Sequence, residues 1–200
     1  KGWMTELSQE ITYLGMQVHG GMGYVEETGS AQHYRDARIL TIYEGTTGIQ
    51  GLDLVGRKTL GDDGAALQDL LDEIEATARD MSGVESLAAM SDSLMNAVQT
   101  GAEARSWLLE HGPKDRSVAG GASVNFMMLF GYLCGGWVMG RSALKAAEML
   151  KDGGSDVPFL KTKQVTAQFY FDHLLSRTGS YLVTIKAGSE SMMALDVEQF

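Results

Sequence analysis

Ile42-Tyr43-Glu44-Gly45-Thr46-Thr47-Gly48-Ile49-Gln50 is the stretch that decides how this chain is read. It sets one carboxylate between an apolar pair, Ile42 and Tyr43, and a glycine, and then passes into a helix start. A glutamate held against apolar neighbours is desolvated, which raises its pKa toward the range a general base needs. Gly45 leaves room for a ligand backbone or carbonyl to approach. Thr46 and Thr47 bring hydroxyls and amides to a place where a helix N-terminus favours an anion. The same residues also fit a plain helix-initiating turn that carries a solvated glutamate.

Two neighbouring motifs separate these readings. Gln17-Val18-His19-Gly20-Gly21-Met22-Gly23-Tyr24 stands upstream, and Tyr34-Arg35-Asp36-Ala37-Arg38-Ile39 lies between. In this order and spacing the three motifs closely resemble the C-terminal helical domain of the flavin-dependent acyl-CoA dehydrogenases. The resemblance covers Lys1 to about Leu60. From about Gly64 onward the chain is similar, in pattern and placement, to the extra helical module of a subgroup that includes the 3-methylmercaptopropionyl-CoA dehydrogenases.

Two hundred residues suffice for a proper core, as one domain or two small ones. Apolar residues make up 44% and charged ones 21%, which is ordinary for a globular chain. The 16 Lys and Arg against 26 Asp and Glu leave a formal net charge of −10. A surface this acidic repels nucleic acid and anionic membranes, so neither is expected as a partner. It also repels CoA phosphates, so a CoA site has to be locally basic or built by residues outside this segment. The single cysteine, Cys134, rules out an internal disulfide and sits in an apolar run, where a buried, inert thiol is expected. That usage fits a reducing compartment, and with no basic, then apolar, leader visible the expectation is a cytoplasmic protein. Lys1 is not an initiator and the first residues read as mid-helix, so a fragment is expected.

The periodicity along the chain is helical and contains no convincing strand pattern. Met4, Leu7, Ile11, Leu14 and Val18 define a first helix that ends in the glycines at 20, 21 and 23. Ser30 to Ala37 reads as a short helix leading to the Glu44 turn. Thr46 or Thr47 then caps a helix carrying Ile49, Leu52 and Val55. Gly61 to Gly64 reads as a linker, dividing residues 1–62 from an additional module at 63–200. There, Leu67, Leu70, Leu71, Ile74, Ala78 and Met81 form one apolar face, and Leu87, Met90, Leu94, Val98 and Ala102 the next. Gly112-Pro113 ends that pair, a long helix spans about Asp115 to Lys151, and a turn at Gly153-Gly154-Ser155 precedes Pro158. A last helix with Phe169, Tyr170, Phe171, Leu174 and Leu175 runs to about Lys186. The fold class is therefore all-α, a helical bundle.

Ser117 to Gly140 holds no charged residue over 24 positions and includes two small-residue repeats, Gly131-xxx-Gly135 and Gly136-xxx-Gly140. Length and spacing both suit a membrane span. Six glycines in the run lower its hydropathy, however, and a helix apolar all round also suits the centre of a bundle, where glycines permit close approach. Burial is the expectation. The eleven acids between Gly61 and Glu110, against Arg79 and Arg105 alone, read as solvated faces. His19, His33, His111 and His173 lack the spacing of metal ligands, so no metal site is expected. The glycines at 20, 21 and 23 follow no strand and make no dinucleotide-binding turn. Arg35, Asp36 and Arg38 suit either a phosphate or a local ion-pair cluster.

The family resemblance implies specific roles. It makes Glu44 the base that removes the α-proton of an acyl-CoA thioester, while the β-hydride passes to the flavin N5. The Glu44 backbone amide helps hold the thioester carbonyl, Gly45 lines the substrate site and Tyr43 the acyl channel. Gln17, Val18, His19, Gly20 and Gly21 match positions that touch the FAD held mainly by a neighbouring subunit. Thr46, Thr47 and Gly48 match positions that touch the FAD of their own subunit. Many relatives carry a polar side chain where this sequence has Gly48, so any side-chain amide contact to FAD is lost there. The resemblance further implies a homo-oligomer, an electron-transfer flavoprotein as acceptor, and an N-terminal helical domain and central β-domain outside this chain. An acyl-CoA oxidase and an alkylation-response flavoprotein carry similar motifs, the latter at odds with a charge of −10. A non-catalytic helical interaction module is a further alternative, disfavoured by an intact Glu44.

Overall fold

A computed structural model describes residues 1–153 and 155–199, and every regular element among them is helical. The elements are α1 (Gly2–Val18), α2 (Ser30–Arg38), α3 (Thr47–Leu52), α4 (Ala65–Ser82), α5 (Ala88–His111), α6 (Arg116–Lys151), α7 (Val157–Tyr170) and α8 (Arg177–Lys186). A π-helical stretch, Asp53–Thr59, prolongs α3, and another, Phe171–Leu175, links α7 to α8. The single last helix expected from the sequence is thus two helices joined without a break residue. Of the expected turn at 153–155, Gly154 lies outside the described residues.

Helix starts are where capping chemistry puts them. Asp115 accepts a hydrogen bond from the Ser117 amide at 2.8 Å and opens α6, and Asp156 accepts one from Phe159 N at 3.2 Å to open α7. Pro158 falls in the first turn of α7, where its missing N–H costs nothing. The expected linker at 61–64 is a pinned turn. Asp62 accepts from the Gly64 and Ala66 amides, both at 3.0 Å, and Arg105 of α5 donates to the Gly64 carbonyl at 2.7 Å.

α6 is the axis of the molecule. α4, α5, α7 and α8 pack on it, and so do α1 and α3. Its Phe126, Leu129, Phe130, Tyr132 and Leu133 meet Leu71 and Ile74 of α4, Leu94 and Leu108 of α5, and Leu175 and Ile185 in one continuous core. Each such side chain stabilises the fold by roughly 1.5–3 kcal/mol through burial. By length and composition α6 could cross a membrane. Within Ser117–Gly140, however, only Val138 is exposed, so this is the central helix of a bundle.

Its glycines are notches. A Cβ on Gly131 would overlap the Trp3 ring of α1, and one on Gly135 would overlap the Tyr170 hydroxyl of α7. Gly136 admits Leu175, and Gly140 admits the Met81 sulfur. The small-residue spacing that also suits a membrane span here lets three helices approach one. Polar anchors complete the packing: Trp137 Nε1 donates to Thr77 Oγ1 at 2.8 Å, and the Tyr170 hydroxyl to the Tyr132 carbonyl at 2.9 Å. Cys134 lies among these packed groups, and burial pushes its thiol pKa up.

α1 departs from expectation in one respect. Its periodicity is helical, but its apolar stripe faces outward: Ile11 is 59% exposed and Val18 86%, with Met4 and Leu14 also exposed. The period of a helix shows that a stripe exists, not which chain covers it.

Candidate active site

The Glu44 turn is built by α1 and α3. Thr41 closes a short 3₁₀ turn after α2, and the backbone then turns sharply, with φ +52° at Glu44 and +87° at Gly45. A left-handed conformation suits glycine but costs a residue with a Cβ on the order of 1–2 kcal/mol. Side chains from the start of α1 and from α3 hold it in place. Lys1 Nζ donates to the Gly45 carbonyl at 2.7 Å and lies 5.9 Å from the Tyr43 ring centroid. Gln50 Nε2 donates to the Glu44 carbonyl at 3.2 Å. Gly45 suits this position by its φ, and a Cβ there would also push the Gln50 amide, 2.7 Å away, off its bond to the Glu44 carbonyl.

Beyond the turn, Thr46 caps α3 by accepting a long hydrogen bond, 3.5 Å, from Ile49 N. The Thr47 hydroxyl donates to the carboxylate of Glu6 on α1. The two threonines therefore divide the work: one starts the helix, and the other ties it to α1. Thr47 keeps its backbone amide, but not its hydroxyl, free of this tie.

One expectation is corrected. Glu44 is exposed, and its apolar neighbours Ile42 and Tyr43 are about half exposed, so this chain does not desolvate the carboxylate. The physical reason is placement. The restraints on the turn, Lys1 to the Gly45 carbonyl and Gln50 to the Glu44 carbonyl, grip its backbone and leave the carboxylate exposed.

Gln17, Val18, His19, Gly20 and Gly21 form a second, separate patch at the far end of α1, and all five are exposed. Glu6, which marks the Glu44 turn, and Val18 are twelve residues apart on one helix, a rise of roughly 18 Å. The structure thus groups Tyr43, Glu44, Gly45, Thr46, Thr47 and Gly48 in one place and the glycine-rich end in another. Gly20 has φ +59°, and at both Gly20 and Gly21 the position a Cβ would take has no other atom within 4 Å, so a flat ligand could lie directly on this backbone.

Arg35 is engaged locally. Its guanidinium donates to both carboxylate oxygens of Glu26 at 2.8 Å, and Arg38 donates to Thr41, so the motif between the two patches braces the approach to the Glu44 turn. Lys1, Glu6 and Gln50, which hold that turn, carry no local sequence signal. Their role comes from α1 lying beside α3, a tertiary fact. A groove of about 890 Å³ between α4 and α6, lined in part by Thr77, Val138, Arg141 and Lys145, shares no residue with either patch.

Comparison with known proteins gives two family matches. Residues 1–59 match the family model described as "Acyl-CoA dehydrogenase, C-terminal domain", and residues 70–196 match "Acetyl-CoA dehydrogenase C-terminal like". The chain is 44% identical over 176 residues to a 3-methylmercaptopropionyl-CoA dehydrogenase of Ruegeria pomeroyi, covering 88% of this chain and 30% of the relative. It is 30% identical over 208 residues to a broad-specificity linear acyl-CoA dehydrogenase of Mycobacterium tuberculosis, covering 100% of this chain and 34% of that protein. A mitochondrial short-chain specific acyl-CoA dehydrogenase of Bos taurus is 54% identical over 52 residues, 26% of this chain and 13% of its own length. The chain spans about a third of the length of the first two.

Proposed function

The chain belongs to the acyl-CoA dehydrogenase family, and on that premise we propose that the whole protein oxidises an acyl-CoA thioester to its α,β-enoyl-CoA, with Glu44 as the base. The observation that carries this reading is the backbone at Glu44, a left-handed non-glycine residue held by the side chains of Lys1, at the start of α1, and Gln50, on α3. Conformations of this kind persist where the surroundings over-determine them, and they cluster at functional sites.

Each group of the turn has a part. The Glu44 carboxylate accepts the α-proton, and its backbone amide donates to the thioester oxygen as enolate charge develops there. Gly45, having no side chain, lets the thioester approach, and the Tyr43 ring lines the acyl chain. The wall that desolvates the carboxylate comes from the rest of the protein or from the substrate itself. FAD, when bound, supplies the acceptor for the β-hydride. The open backbone at Gly20 and Gly21, with Gln17, Val18 and His19, fits an edge contact to an isoalloxazine or its linker, and Thr46, Thr47 and Gly48 fit a second such edge. In the family these two edges meet flavins held by different subunits, so a homo-oligomer is the proposed assembly. An electron-transfer flavoprotein is the proposed acceptor, and the cytoplasm the proposed location.

The test uses the full-length, flavin-loaded protein. Anaerobic mixing with an acyl-CoA should bleach the flavin. Glu44→Gln should keep flavin content and acyl-CoA binding while slowing bleaching by several orders of magnitude, because the barrier loses its proton acceptor. Near wild-type bleaching in that variant removes Glu44 as the base. Rapid reoxidation by oxygen, in place of electron-transfer flavoprotein, would move the protein to the oxidases.

A further inference from the structure

Three charged groups, Lys1 just before α1 and Glu6 and Glu10 on it, reach different parts of the molecule. Lys1 and Glu6 hold the Glu44 turn, through the Gly45 carbonyl and the Thr47 hydroxyl. Glu10 is one turn further along, on the same face as Glu6. Its two carboxylate oxygens accept from Arg177, the first residue of α8, at 2.7 and 2.8 Å. Arg177 also donates to the Tyr132 hydroxyl of α6 at 2.7 Å and lies 5.4 Å from that ring's centroid. Trp3, on the same face of α1, fills the Gly131 notch and meets Tyr132 edge-on, with ring centroids 5.6 Å apart.

A bidentate guanidinium–carboxylate pair fixes orientation as well as distance. Here it fixes the rotation of α1 about its own axis, one turn from the carboxylate that grips Thr47. Without the guanidinium, Glu6 and Glu10 repel each other at i,i+4 spacing, and the charged tie between α1 and α8 is lost.

We infer that Arg177 is a positioning residue for the base: α8 sets α1 through Glu10, and α1 sets the Glu44 turn through Glu6–Thr47 and Lys1–Gly45. The proposal rests on the reading of Glu44 given above, and it gives the C-terminal module a part in the chemistry without touching the substrate. Misplacing a reacting group by about an ångström can cost on the order of a hundredfold in rate, so a small rotation of α1 is enough to be measured.

The experiment compares full-length, flavin-loaded wild type with Arg177→Gln, Glu10→Gln, the double variant and Arg177→Lys. Two readouts are taken: the limiting rate of flavin bleaching by an acyl-CoA, and hydrogen exchange of the peptide spanning 42–52. Each Gln variant should lose about tenfold or more in limiting rate, with flavin content and acyl-CoA affinity unchanged. The double variant should be no slower than either single one, Arg177→Lys should recover only part of the loss because an ammonium cannot reproduce the two parallel bonds, and exchange at 42–52 should rise in step with the rate loss. Rates within twofold of wild type, or a loss matched by loss of flavin, would overturn the proposal. If Arg177→Gln does not fold, Arg177→Lys and Glu10→Gln decide by the same criteria. Should wild type fail to bleach with any acyl-CoA, the catalytic reading falls, and exchange at 42–52 still decides whether α8 controls the turn.

Discussion

Arg177 and Glu10, 167 residues apart in the chain, are joined by two hydrogen bonds of 2.7 and 2.8 Å. The guanidinium holds the Glu10 carboxyl below its ordinary value of 4.5. A carboxyl with a depressed folded-state pKa contributes stability that is fully present above the unfolded value and is lost as the pH falls toward the folded one. The melting temperatures of wild type and Glu10→Gln should therefore differ most near neutrality and draw together as the pH falls below 4.5. Both partners are more than a third exposed, so solvent screening should limit the difference at neutral pH to about 1 kcal/mol. A gap that stays constant from pH 7 to pH 3 would contradict the assignment.

Two glycines of α6 should respond to alanine with opposite sign. At Gly131 the added Cβ meets the Trp3 ring, and Gly131→Ala should destabilise by about 1–3 kcal/mol through overpacking. At Gly120 no atom lies within 4 Å of the new Cβ, and Gly120→Ala should stabilise by about 0.5–1 kcal/mol through the lower entropy of the unfolded chain. Thermal or urea unfolding of the two variants side by side measures both. Equal effects would mean that the notch is not occupied as described.

Glu44 should show a conflict between stability and activity. Glu44→Gly relieves a φ of +52°, and in this chain alone it should raise stability by roughly 0.5–1 kcal/mol, the left-handed penalty less the added freedom of the unfolded glycine. In the full-length protein the same change should abolish flavin bleaching by acyl-CoA. A destabilised Glu44→Gly would mean that the turn is not left-handed at this residue.

Assembly offers a further check. The glycine-rich end of α1 is proposed to touch a flavin held chiefly by another subunit, so the full-length protein should scatter light as a dimer or larger species. It should lose flavin when diluted to monomers. A flavin-loaded, acyl-CoA-bleachable monomer would contradict this.

How far the sequence carries this reading depends on the range of each interaction. The helices of the C-terminal module follow from the apolar spacing of Leu67, Leu71, Ile74, Ala78 and Met81, and from breakers such as Gly112-Pro113, because those signals lie within a turn or two of each other. Burial of the uncharged stretch Ser117–Gly140 is legible from its six glycines and its all-round apolar surface. The left-handed backbone at Glu44 is not, because glutamate has no local preference for it and the restraints come from Lys1 and Gln50. Nor can the Arg177–Glu10 pair be read, since nothing in either neighbourhood names its partner. The division of α7 from α8 is hidden because a π-helical stretch keeps the apolar residues Phe171, Leu174 and Leu175 in helical order.

The outward-facing stripe on α1 has a colloidal consequence. Met4, Ile11, Leu14 and Val18 form an adhesive strip on a particle that otherwise carries a net charge of −10. In dilute buffer, like-charge repulsion between particles keeps those strips apart. Salt shortens its reach from roughly 30 Å at 0.01 M to roughly 3 Å at 1 M. A preparation of this chain alone that is clear at low ionic strength should therefore cloud as salt is added, the reverse of salting-in, until something apolar covers α1.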